Sequence, residues 1–239
     1  MTSVPAGLSN VVAVAADGDH CLALARDGTV TGWGQNRYGQ ATGVPSPTFD
    51  ETNGVVTLGG RVLSNVMVIA AGASNSVALK NDGTVVAWGD NSYGECNVPP
   101  GLSNVVALAS GGGSAVHFVV VKADGTLAVW GSYLGKQSDV PPGMTNAVAA
   151  ADGAYHALAL ISSRPLSLRA PVSSALWDTN GFIVSVPSRS GHVYCLEHKT
   201  SLGDPAWTPL PLVAGNGGTL TLTDPTATGA TRFYRVPQW

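Results

Sequence analysis

The sequence predicts an all-β chain in two parts: an incomplete β-propeller of about 3.5 blades, then a small C-terminal β-sandwich. Three observations predict it. A skeleton first seen at His20 returns downstream with its internal offsets intact, and short β-branched runs alternate with Asp-Gly and Asn-Gly turns along the chain. Charged residues make up 11% of the 239 residues, beside 30 glycines and 15 prolines. Average soluble domains carry roughly 25% charge, so this composition suits a turn-rich β protein.

The repeat is checked by subtraction. His20, Asn75 and His117 each stand eight residues before the glycine of an Asp-Gly-Thr turn (Gly28, Gly83, Gly125) and thirteen before the tryptophan of Trp-Gly (Trp33, Trp88, Trp130). A Ser/Thr-Asn pair leads each copy, at Asn10, Asn65, Asn104 and Asn146. His156 opens a fourth copy that stops near Ile161. The tryptophans are 55 and 42 residues apart, which predicts a surface insertion in the second copy, within Ser46 to Arg61. Blades are expected over 4–45, 46–98 and 99–140 with a half blade at 141–161, then a linker at 162–168 and the sandwich at 169–239.

Within the first copy, Val11 to Ala15 reads as a buried inner strand and Cys21 to Ala25 as its partner. Arg26-Asp27-Gly28-Thr29 is a hairpin turn, because aspartate starts such a turn through its side chain and glycine accepts a positive φ. Val30 to Trp33 returns, and Asn36-Arg37-Tyr38-Gly39-Gln40 leads out. Small residues such as Ala13, Ala15, Ala70 and Ala71 let neighbouring blades converge. In the C-terminal part, strands are expected at Gly181 to Val186, His192 to Glu197, Ala206 to Leu210, Gly218 to Thr223 and Thr231 to Val236. Asn180-Gly181, Ser190-Gly191 and Asn216-Gly217-Gly218 supply turns.

The combination Asn-Val-Val-Ala, Asp-Gly-Thr-Val-x-x-Trp-Gly and Asn-x-Tyr-Gly-Gln resembles the regulator of chromosome condensation repeat, in a short bacterial form similar to that of beta-lactamase-inhibitor protein II. The resemblance covers residues 4 to 161 and implies a seven-bladed propeller that binds proteins through its loops. Three blades and a half cannot close such a ring. Val4 to Asn10 also matches the blade junction Val98 to Asn104, so loss of upstream repeats is the first expectation, with an open arc or a homodimer completing one ring as the alternatives. Gly191 to Glu197, Trp207 and Arg232-Phe233-Tyr234-Arg235-Val236 resemble a C-terminal module of exported planctomycete and verrucomicrobial proteins. That resemblance implies an extracellular or cell-envelope setting, although Met1 to Gly18 does not read as a signal peptide.

Several function classes find no support in the residues. Net charge is −3 with 12 Lys and Arg and no basic stripe, which argues against nucleic acid as a partner. No apolar run reaches the ~18 residues of a membrane span. No nucleophile elbow, phosphate-binding loop or zinc motif appears, so no catalytic residue, metal or cofactor is assigned and the chain is read as non-enzymatic. His20, Asn75, His117 and His156 recur at one position and are read as structural, bonded to a neighbouring blade's backbone rather than to metal. Asp27, Asp82 and Asp124 belong to turns, Asp17 and Asp19 to a solvated turn, and the three tryptophans to blade packing. Cys21, Cys96 and Cys195 show no pairing motif and are read as unpaired.

The residues expected to face an unidentified protein partner precede the recurring position: Asp19, Ser74, Val116 and Tyr155. Of these only Tyr155 has the character of an interface anchor. Tyr38 and Tyr93 recur too regularly to be target-specific and are read as structural, Arg232 and Arg235 as surface residues, and Trp207, Tyr194, Phe233 and Tyr234 as sandwich core. An adhesive envelope module and a carbohydrate-binding or carbohydrate-active propeller are the alternative functional readings.

Overall fold

A computed structural model describes residues 3–47, 52–112, 116–131, 139–161, 168–169, 172–178, 181–189, 191–201, 203–227 and 232–238. The described residues are all-β, without a helix, and the chain divides into two compact units, Met1–Arg164 and Pro165–Trp239.

In the first unit β1 (Val11–Asp17), β2 (His20–Ala25), β3 (Val30–Gly34) and β4 (Thr52–Val55) form one antiparallel sheet in that order. A hairpin of β5 (Thr57–Leu58) and β6 (Arg61–Val62) follows. The second sheet is β7 (Val66–Ala71), β8 (Asn75–Lys80) and β9 (Val85–Gly89), and the third is β10 (Val105–Ser110), β11 (His117–Lys122) and β12 (Leu127–Gly131). β13 (Ala147–Asp152) pairs with β14 (Ala157–Ile161).

Each inner strand starts the same way. Asn10, Asn65, Asn104 and Asn146 hold φ between 55° and 60°, which asparagine tolerates better than most residues. A bulge follows at once, between Val11 and Ala13, Val66 and Val68, Val105 and Ala107, and Ala147 and Ala149. The carbonyls of Asn10, Asn65 and Asn104 accept from Arg26, Asn81 and Ala123 within their own sheets. The next amide reaches backward: those of Val66, Val105 and Ala147 donate to the carbonyls of Gly28, Gly83 and Gly125 in the preceding sheet. Those three glycines sit at φ of 77° to 80° in Asp-Gly-Thr turns, where Asp27, Asp82 and Asp124 accept from the Thr29, Thr84 and Thr126 amides and hydroxyls.

Between the first and second sheets Leu22, Leu24, Val30, Val66, Ile69, Ala78 and Trp88 form one apolar core, joined by Val56 and Leu63. Here two expectations are corrected. Residues 48–51 of the expected surface insertion lie outside the described residues, but Thr52–Val55 is the outer strand of the first sheet, and Val56 and Leu63 are 0% and 6% exposed. A segment carrying Val56, Leu58 and Leu63 has apolar area to bury, and the edge of β3 offers it hydrogen bonds. β1, expected to be buried, packs only its Ala13 and Ala15 side; Val12 and Val14 are 38% and 72% exposed. Burial on both faces needs a sheet on each side, and among the described residues β1 has one, the second sheet.

In the second unit β15 (Leu168–Arg169), β16 (Ser174–Asp178), β17 (Gly181–Pro187), β18 (Val193–Tyr194), β19 (Glu197–Lys199), β20 (Thr208–Pro209), β21 (Val213–Ala214), β22 (Thr219–Asp224), β23 (Phe233–Arg235) and β24 (Pro237–Gln238) form three small sheets, ordered β15-β24-β18-β21, β16-β17-β22 and β20-β19-β23. Their core holds Val184, Val186, Tyr194, Leu196, Leu220, Leu222 and Val236. The single strand expected over His192 to Glu197 is two strands in different sheets, because buried Cys195 and Leu196 interrupt the alternation between them. Asn180 and Ser190 of the expected turns lie outside the described residues.

Arg232 and Arg235 are not simple surface residues. Arg232 is 2.6 Å from Asp224, whose side chain is fully buried and also accepts from Tyr234 and Thr226. Arg235 pairs with Glu197 and lies 4.5 Å over the Trp207 ring. The cysteines are free, and burial pushes the thiols of Cys96 and Cys195 up to about 11 and about 12.

Gly32 provides a test of the packing in the first sheet. Ala87 and Val129 occupy the corresponding place in the next two sheets, opposite Val77 and Val119 as Gly32 is opposite Leu22, yet a Cβ at Gly32 would overlap the carbonyl oxygen of Ala41. Gly32→Val is therefore expected to cost about 3 kcal/mol, the upper part of the range for overpacked cores, in a denaturant unfolding curve.

Candidate functional site

The recurring position is a seam residue. His20 is 1% exposed and its Nε2 lies 2.8 Å from the Ser76 hydroxyl in the next sheet, which in turn donates to the Gln40 carbonyl at 2.8 Å. Ser76 has one proton and gives it to Gln40, so His20 Nε2 carries the hydrogen and donates. His117 Nε2 is 2.6 Å from Asp152 Oδ1, both side chains being fully buried. Asn75 instead turns to its own loop, donating to the Asp90 carbonyl and reaching Cys96 Sγ at 3.7 Å. The expectation of a histidine bonded to neighbouring backbone is thus corrected to side-chain partners. The backbone acceptor at this level is already shared: the Gln40 carbonyl takes both Ser76 and the Trp88 indole N–H.

The tryptophans complete the seams. Trp88 donates to Gln40 and Trp130 to Glu95, each at 3.0 Å to the carbonyl of the preceding outgoing loop. Trp33 is 8% exposed and equally a packing residue. Those loops are held in shape by their own side chains: Asn36 Oδ1 accepts from Ala41 and Thr42, its amide donates to the Val44 carbonyl, and Gln40 and Glu95 accept from the Tyr38 and Tyr93 amides.

This geometry defines the two ends of the blades. His20 is opposite Gly34, and the Gln35 and Asp90 amides donate to the Asp19 and Ser74 carbonyls. The inner turns and the outgoing loops therefore share one end, while the Asp-Gly-Thr turns lie at the other. Of the expected partner-facing residues, Asp19 is exposed, Tyr155 is 66% exposed and Ser74 is half-buried. Val116 is 5% exposed and is withdrawn as a contact residue, because its side chain packs near Gly72 of the preceding blade. His156, alone among the recurring positions, is exposed.

Sequence reasoning missed Tyr38 and Tyr93. Their amides do the structural work, which frees the rings, and they are 38% and 69% exposed on the same end as Tyr155. The signal was present: a motif position fixed through its backbone is free to vary in what its side chain does. No group of three His, Cys, Asp or Glu side chains gathers as a metal would require among the described residues, and no helix is long and apolar enough to cross a membrane.

Stitched sheets of this kind, each closing on the next through a glycine turn and at the first two seams through a tryptophan as well, define a β-propeller repeat protein. Residues 11–40 and 68–95 match the family described as the Regulator of chromosome condensation (RCC1) repeat. It is 42% identical over 77 residues to the human probable E3 ubiquitin-protein ligase HERC3, covering 32% of this chain and 7% of that protein. It is 34% identical over 101 residues to the mouse RCC1-like G exchanging factor-like protein, covering 40% and 22%. Among solved structures, human WBSCR16 superposes with a TM-score of 0.50 at 25% identity, over 64% of this chain and 45% of that one. The chain thus spans less than a quarter of the length of these curated relatives.

The reading of the chain as non-enzymatic is corrected by these relatives. Proteins that share its repeats include a ligase and exchange factors, so a lack of recognisable catalytic motifs in the repeats does not separate binding from activity.

The buried histidine supplies a pH test. Burial lowers the His20 pKa from 6.5 to about 4, although Asp17 and Asp19 pull it upward. The unfolded chain takes up a proton below 6.5 that the folded chain refuses. Stability is therefore full above that pH and falls as pH drops toward about 4, by an amount on the order of 3 kcal/mol. Melting curves of wild type and His20→Asn between pH 7 and 4 check this: the variant, with the side chain that Asn75 carries natively, is expected to lose the His20 share of the slope.

Proposed function

We propose that the chain binds a protein partner at the end of its blades that carries Asp19, Ser74 and Tyr155 together with Tyr38 and Tyr93. The observation behind this is the exposure of Tyr93 and Tyr155, at 69% and 66%, on loops whose backbones are locked by hydrogen bonds and by the seams. Rigid, amphipathic aromatics lose little entropy on binding, which makes them efficient anchors. The reading extends to an exported or envelope-associated bacterial protein, on the resemblance of the second unit alone, and to self-association, since the first unit presents apolar side chains at both of its terminal sheets. A second reading is an exchange-type activity exerted through the same partner. It is favoured by the match of about a hundred residues to proteins named as exchange factors.

Site-specific photo-crosslinking tests the binding face. A photoreactive residue placed at Tyr93 or Tyr155 is expected to capture one and the same protein in the source cells, and at Asp82, on the opposite end, to capture none. Equal capture from Asp82 would place the contact elsewhere. Release of labelled guanine nucleotide from the captured protein, measured with and without the chain, then decides the second reading.

A further inference from the structure

The two terminal sheets of the first unit are complementary. In each internal seam, the side of a blade that faces the next one presents two large side chains from its second strand. These are Leu22 and Leu24, Val77 and Leu79, and Val119 and Val121, all between 0% and 1% exposed. The same register positions in β14 are Leu158 and Leu160: Leu158 is opposite Ala151 as Leu22 is opposite Ala15, and Leu160 opposite Ala149 as Leu24 is opposite Ala13. They are 61% and 64% exposed. The side facing the preceding blade carries Met67 and Ile69 in the second blade, 7% and 8% exposed, and Val106, 2% exposed, in the third. In the first blade those positions are Val12 and Val14, 38% and 72% exposed.

The seam histidine follows the same rule. His20 and His117 are covered by the sheet that follows them, whereas His156 is exposed. His20 meets Ser76; the residue equivalent to Ser76 in the first blade, one past the recurring position, is Cys21, which is half-buried.

We infer that a second copy of this chain seats its first blade on β13 and β14 of the first copy, head to tail, and that the reciprocal contact closes the pair. What covers these faces is dictated by the internal seams: a blade of this same repeat, with Val12 and Val14 meeting Leu158 and Leu160, and Cys21 meeting His156. One chain supplies both halves of that contact. Neither Val11–Ala16 nor Ala157–Ile161 contains a charged residue, so nothing in these strands opposes the approach. A head-to-tail contact closes when its rotation returns to the start, and two copies of four sheets each would make a ring of eight, within the range of roughly four to eight blades that propellers adopt. This deepens the self-association reading and is independent of the loop face, whose crosslinks from Tyr93 do not involve these strands.

Light scattering after gel filtration is expected to give twice the 24.2 kDa chain mass. The pair Leu158→Asp and Leu160→Asp, at sites exposed in the single chain and so compatible with folding by circular dichroism, is expected to raise the dissociation constant at least ~100-fold. Oxidised His156→Cys is expected to run as a covalent dimer on a non-reducing gel, and the dimer to vanish when Cys21→Ala is added. A monomer, an open-ended series of sizes, or a crosslink that survives without Cys21 overturns the proposal.

Discussion

The first unit depends on one peptide-level device, the left-handed asparagine at the head of each inner strand. Because its φ is positive, its carbonyl turns into its own sheet while the following amide turns out to the glycine carbonyl of the sheet before it. A single residue thus fixes both the entry of a strand and its spacing from the neighbouring blade. Each such hydrogen bond contributes only about 1 kcal/mol net. The apolar seam contributes far more, at about 25 cal/mol per Å² buried. The stitch decides where the seam forms, and the seam supplies the stability.

That arrangement divides the labour between the two ends of a blade. At the Asp-Gly-Thr end the turn is clamped by its aspartate and by the next blade, and its exposed charges pair locally, as Lys80 with Asp82 and Lys122 with Asp124. At the other end the backbone is equally held, but through outgoing loops whose side-chain bonds point inward. The tyrosine rings are left outside, beside inner turns that differ from blade to blade. Buried His20 belongs to this end and, as a neutral donor to Ser76, ties the loops' foundation together without placing a charge there.

Much of the first unit was legible because its local chemistry and its packing agree. Asp-Gly-Thr, Trp-Gly and Asn-x-Tyr-Gly-Gln each specify a backbone conformation that also forms the blade contact, so the offsets carry three-dimensional information. The leading asparagine was visible as a recurrence, but its meaning lies in a φ value that one sequence does not display. The strand at Thr52–Val55 was hidden because Thr-Asn-Gly-Val has little strand propensity and is recruited by an open edge. Val116 and Tyr93 exchanged roles for a related reason: exposure depends on which atoms of a residue hold the loop, and composition is silent on that. In the second unit the run His192 to Glu197 does supply strands, but Val193 to Leu196 are buried in succession and the run is shared between two sheets.

The fourth strand of the first sheet separates the unit that recurs in the sequence from the unit that folds. Thr52–Val55 and buried Val56 and Leu63 stand upstream of Asn65, after the first outgoing loop, yet they complete and cover the first blade. A duplication or recombination event that cut the gene at the end of the outgoing loop would carry a whole motif and leave an uncovered edge. A cut just before Ser64-Asn65 would carry a closed blade. A cut at the asparagine therefore keeps a blade whole and a cut at the loop does not, and the segment from Thr52 to Leu63 completes its blade rather than decorating it.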